Sequence, residues 1–138
     1  MCGGSDWVWK SFVRGYNPIY MDPFDRHPDR LAARHAMGAA RKVAGSVSLA
    51  NSRPRVDLSS ARYALAWPGN EYVVYEPGQA RFWLEVGRAR IYSGTWINAV
   101  DGRTRRFGPR RLSGRAVLAA PWHEPAVLRL HRWTPPRR

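Results

Sequence analysis

Cysteine, lysine and acidic residues are all scarce in this chain of 138 residues, and each scarcity excludes something. Cys2 is the sole cysteine, so no internal disulfide can form and a cysteine-based zinc site is not expected. It leaves the redox compartment open. No apolar run approaches the roughly 20 residues that a helix needs to cross a bilayer, so no membrane span is expected. The opening MCGGSDWVWK lacks a basic segment followed by an apolar core, so no secretory signal is expected and the compartment is unknown. His27, His35, His123 and His131 show no HExxH spacing, which argues against a metal site. A GxSxG elbow and a phosphate-binding glycine loop ending in Lys and Ser or Thr are also missing, so neither nucleophilic nor nucleotide chemistry is supported. No cofactor is expected.

Negative charge is the other shortage. Ten acids face 23 strong bases, for a formal net charge of +13. A balance this basic raises nucleic acid or an anionic surface as a partner. The distribution argues the other way, because Lys10 and Lys42 are the only lysines and the arginines are scattered from Arg14 to Arg138. A coding bias towards arginine produces this pattern without any selection for phosphate contacts. The clusters at Arg103, Arg105, Arg106, Arg110 and Arg111, and at Arg137 and Arg138, sit beside Gly and Pro and read as solvated loops.

The most informative stretch is 62–86, RYALAWPGNEYVVYEPGQARFWLEV. Tyr63, Leu65 and Trp67 alternate with Arg62, Ala64 and Ala66, and Phe82, Leu84 and Val86 with Arg81, Trp83 and Glu85, which is the period of a strand. The middle run 72–75 is apolar on both faces. Pro68-Gly69 and Pro77-Gly78 are turn signals of the type II kind, so a three-stranded meander with two hairpins is expected. Further strands are expected at 90–98, 104–107, 115–120 and 126–133, with a hairpin at Asp101-Gly102 and a basic loop over 108–114. That makes about seven strands with no helix between them, the pattern of an antiparallel β-sandwich.

The first third reads differently. Apolar residues at Val8, Trp9, Phe12 and Val13 predict a short helix over 5–14, ending at Gly15. Residues 17–21, NPIYM, suit a short buried strand closed by Asp22-Pro23. A second helix is predicted from Pro28 to about residue 44, with Leu31, His35, Met37, Gly38 and Val43 near one side and small residues that permit close packing. Residues 46–60 have no sustained period and read as a connection. A single strand between two helices leaves both its backbone edges unpaired, so partners outside these residues are implied.

These pieces, WVWKSFVRGYNPIYMDPFD, RHAMGAARKVA, YALAWPGNEYVVYEPG, WINAVDGRTRRFG and APWHEPAVLRL, together resemble the C-terminal part of bacterial glycoside-hydrolase-like proteins. In those, a (β/α)₈ barrel is followed by a β-sandwich known as the collagen-binding domain of a collagenase. The resemblance implies a barrel remnant at 1–45 (end of the seventh helix, eighth strand, eighth helix), a linker at 46–60 and the sandwich at 61–134. It also implies an N-terminal barrel portion as the partner of this chain. One departure stands at Trp96-Ile97-Asn98-Ala99-Val100-Asp101-Gly102, where the family tends to carry a second aromatic and Asn-Pro.

Glycoside hydrolysis generally needs two carboxyl groups flanking the scissile bond, and in barrels these sit at the C-terminal ends of strands. Asp22 stands at the end of the one barrel strand implied here, so no complete active site is expected in this chain. Tyr20 and Asp22 are candidates to line the barrel mouth; the plainer alternative is that Asp22 caps the loop before Pro23. Glu71, Glu76 and Glu85 read as solubilising acids. Seven tryptophans and six tyrosines invite glycan stacking, with Tyr75, Trp83 and Trp96 as candidate contacts, although such residues more often fill cores and interfaces. Three roles follow in order of preference: an accessory sandwich of a glycoside-hydrolase-like protein, a stand-alone glycan- or polymer-binding module, and a basic nucleic-acid-binding protein.

Overall fold

Val8, Trp9, Phe12 and Val13 fall on one side of a helix, and in the computed structural model, which describes residues 5–16 and 28–136, that side is buried in α1 (Ser5–Val13). Helix α2 (Pro28–Ser46) packs beside it. Its buried side differs from the expected one. Ala33, Ala36, Ala40 and Val43 face inward, whereas Leu31, His35 and Gly38 are exposed. Methyl groups win the interior position because they let the helix axis approach its neighbours closely. The strand expected at 17–21 lies outside the described residues.

The rest is mainly β, with all pairings antiparallel. A six-stranded sheet has the order β1 (Arg53–Pro54), β2 (Ala64–Trp67), β3 (Glu71–Glu76), β8 (Ala126–Arg132), β5 (Arg90–Asn98), β6 (Thr104–Leu112). A two-stranded sheet of β4 (Arg81–Glu85) and β7 (Arg115–Ala119) covers one of its faces. The helices cover part of the other.

The first hairpin forms as expected: Gly69 has φ +82°, and the Asn70 amide donates to Trp67 O at 2.9 Å. The second does not form. β3 is already paired with β2 on one edge and with β8 on the other, so no edge remains for β4. The turn after β3 is instead organised by Glu76, which is buried and accepts the Gly78 and Gln79 amides at 3.0 and 2.7 Å. A carboxylate that takes two backbone donors turns the chain out of the large sheet and across to the small one, and Glu76 is thus a structural acid, not a solubilising one.

The basic loop expected over 108–114 is also largely strand. β6 continues to Leu112 because an extra residue is absorbed as a bulge around Gly108-Pro109, after which pairing resumes at Tyr92↔Arg110 and Arg90↔Leu112. Leu112 is thereby returned to the core. In the stretch 46–60, β1 pairs with β2, Leu58 is buried, and Ser59 and Ser60 bind the edge of β4 through Trp83.

Two cores result, one on each face of the six-stranded sheet. Tyr72, Val74, Tyr92, Trp96 and Leu128 look into the sandwich, where they meet Phe82, Leu84 and Leu118 of the small sheet. Leu65, Val73, Tyr75, Ile97 and Val127 look the other way, onto Val8, Trp9, Ala36, Ala40 and Val43 of the helices. Strict alternation along β3 therefore serves two hydrophobic layers, which is why its sequence is apolar at every central position.

Candidate functional site

β8 reads AVLRLHR, and its alternation sets Leu128 and Leu130 in the sandwich core. Val127, Arg129 and His131 consequently share the opposite face. Val127 is covered by the helices, but Arg129 and His131 lie where that cover ends. Across the ladder, Arg129 is level with Thr95 of β5 and, beyond it, Arg106 of β6; His131 is level with Ser93. A polar strip thus runs along the open part of this face.

Helix α2 forms the other bank. Between its flank and the sheet lies a groove of about 610 Å³, lined on the helix by Arg34, His35, Lys42 and Ser46 and on the sheet by Thr95, Ile97, Thr104 and Arg129. Asp101 closes one end, ion-paired with Arg103. A second cavity of about 490 Å³ continues along β8 and is lined by Trp67, Asn70, Glu71, His131 and Arg132. Arg129 and Ser46 belong to both walls.

The electrostatics centre on Arg129. Its Nη2 donates to Ser46 O at 3.4 Å, a long contact, while its Nε is buried without a hydrogen-bond partner. No carboxylate ion-pairs with it among the described residues. His131 sits beside it with Nδ1 also buried and unpartnered. Burial, and then the Arg129 charge, hold the His131 imidazole below its ordinary value, with Glu71 acting in the opposite direction. Two incompletely satisfied polar side chains on one strip are unusual, because a buried polar group without a partner is costly.

Among the described residues, several acids have local partners, including Glu71, which lines the second cavity. Asp6 accepts the Tyr75 hydroxyl and pairs with Lys10, Asp57 pairs with Arg55, and Glu71 accepts the Ser48 amide. Glu85 accepts the Gly87 amide and Glu124 lies beside Asn98 and Arg103. Each serves local structure.

Of the residues singled out in the sequence, the described ones, Tyr75, Trp83 and Trp96, do not converge. Tyr20 and Asp22 lie outside the described residues. Tyr75 is fully buried between sheet and helices, its hydroxyl donating to Asp6 Oδ1 at 2.6 Å. Trp96 is buried on the opposite side of the sheet, edge-on to Phe82 and Phe107 at 6.0 and 6.3 Å. Neither offers a ring face to a polymer in solution; both fill cores. Trp83 is half-exposed on the outer face of the small sheet, with the Arg115 guanidinium 4.3 Å from its ring centroid. Sequence reasoning missed Arg129 and Lys42. The available signal was the pair Arg129 and His131, which interrupts an otherwise apolar strand at a period of two.

No protein-family model matches this chain, and no curated protein matches it significantly.

Proposed function

We propose that this chain is the C-terminal part of a glycoside-hydrolase-like protein: the last helices of a (β/α)₈ barrel joined to an accessory β-sandwich that has no hydrolytic role of its own. The observation that carries the reading is the shared core. Val8, Trp9 and Val13 of α1 and Ala36, Ala40 and Val43 of α2 pack on Val73, Tyr75 and Val127 of the large sheet. Two helices fixed in this way on a sandwich have the form expected where a barrel ends and an accessory domain docks against it. The local partners of the described carboxylates fit such an accessory part, since hydrolysis asks for two carboxyl groups about 5 to 9.5 Å apart across a cleft.

In this reading the catalytic acids belong to earlier barrel strands, and the sandwich acts as a buttress on the barrel's outer helices. The test is to read the coding sequence upstream of Met1. An in-frame continuation into about 300 residues of alternating strands and helices is expected, roughly the size of a barrel. A stop codon and ribosome-binding site directly before Met1 overturn the reading. So does turnover of nitrophenyl glycosides by this chain alone.

A further inference from the structure

The basic groove between α2 and the large sheet has no part in that reading, and its chemistry is specific enough to name an occupant. We infer that it binds an acidic oligosaccharide, with the carboxylate of a uronic acid residue placed against Arg129 and Lys42.

Charge is the first argument. Arg34, Lys42 and Arg129 line the groove, and Arg129 lacks a carboxylate partner among the described residues although it is half-buried. An anion entering there supplies the missing counter-charge, and a guanidinium meets a carboxylate through two parallel N–H donors. Shape is the second. Two adjoining cavities of about 610 and 490 Å³ share Arg129 as a wall, which suits a ligand of several linked units with its charge near the middle.

The remaining groups decide between an acidic glycan and a nucleic acid strand. Thr95 and Thr104 on one side, and Asn70 and Thr134 on the other, offer donors and acceptors to sugar hydroxyls, and Trp67 also lines the second cavity. Each cavity also carries one carboxylate, Asp101 in one and Glu71 in the other. A carboxylate accepts a hydrogen bond from a hydroxyl but repels a phosphate. A strand with a charge on every unit sets a charge beside both, whereas a glycan that alternates acidic and neutral sugars presents hydroxyls there when its acid lies at Arg129.

The experiment is calorimetric titration of the full chain with a tetrasaccharide alternating uronic acid and N-acetylhexosamine, beside a neutral glucose tetrasaccharide and a 12-nucleotide oligothymidylate. Saturable binding of the acidic tetrasaccharide is expected, at least tenfold tighter than either comparison ligand. Lys42→Gln, at an exposed helix position that does not endanger folding, and Arg129→Gln are each expected to weaken it about tenfold. Arg115→Gln, on the outer face of the small sheet, is expected to leave it unchanged. Absence of saturable binding overturns the inference. An equal loss in Arg115→Gln also overturns it, because the attraction is then that of net charge alone. Tighter binding of oligothymidylate that is lost in Lys42→Gln overturns it too, and assigns the groove to nucleic acid instead. The titration reads binding by this chain alone, so its outcome is distinguishable from that of the upstream sequence.

Discussion

Two glycines show how differently the same residue type is used in one sheet. At Gly69 the requirement is conformational: φ is +82°, a region that costs a residue with a side chain about 1 to 2 kcal/mol. A Cβ there lies 2.9 Å from Arg90 Nη1, the end of a flexible side chain that can swing aside at the loss of its 2.8 Å bond to Gly69 O. At Gly94 the requirement is space. An added Cβ overlaps the carbonyl oxygen of Arg129 on the neighbouring strand, and backbone in the middle of a sheet cannot swing aside. Gly94→Ala is therefore expected to destabilise by about 3 kcal/mol or more, and Gly69→Ala by about 1 to 2 kcal/mol. Denaturant unfolding of both variants checks the order; equal losses contradict the account of Gly94. The first of these roles was legible in the sequence, since Pro-Gly between apolar runs announces a turn. The second was not, because nothing local to Gly94 says that β8 lies against it.

At the scale of elements, a polar contact joins α1 to β3 within an apolar interface. Tyr75 is buried, and its hydroxyl donates to Asp6 across 69 residues of chain. Tyr75→Phe keeps the ring and removes the bond, with an expected loss of about 1 to 2 kcal/mol. The pH dependence follows from the same contact. Burial first, and then Asp6, raise the Tyr75 phenol above its ordinary value, while burial and the adjacent Tyr72 push Tyr92 up to about 12. The folded chain thus holds these protons more tightly than the unfolded chain. Both contributions are complete below the ordinary phenol value of about 10; that of Tyr92 is lost as the pH rises through about 12, and that of Tyr75 at higher pH still. Stability measured from about pH 9 to 12 is expected to fall for this reason, and less steeply in Tyr75→Phe; an unchanged slope contradicts the role given to Tyr75.

For the whole molecule, the six-stranded sheet is the element on which everything else is laid, and it is apolar on both faces. Removing residues 1–46 exposes Leu65, Val73, Tyr75, Ile97 and Val127 together. The shortened chain is expected to aggregate on expression, because a contiguous apolar surface of this kind is rarely left open to water. A soluble monomer with native near-UV circular dichroism contradicts that expectation and favours a sandwich that stands alone. Local chemistry by itself determined the mainly β class, α1, α2 and the positions of most strands, since periodicity, the Pro68-Gly69 turn and the helix-ending Gly15 act over a few residues. Only the tertiary structure decided which strands pair, and so sent β4 to the small sheet, carried β6 past Pro109 and buried Tyr75 and Trp96. It also decided the groove, whose charges come from residues 34 to 131 and meet only because α2 leaves part of the sheet uncovered. Strand order and partial cover are set by the competition of all apolar faces for burial, and that competition has no signature in any one stretch of chain.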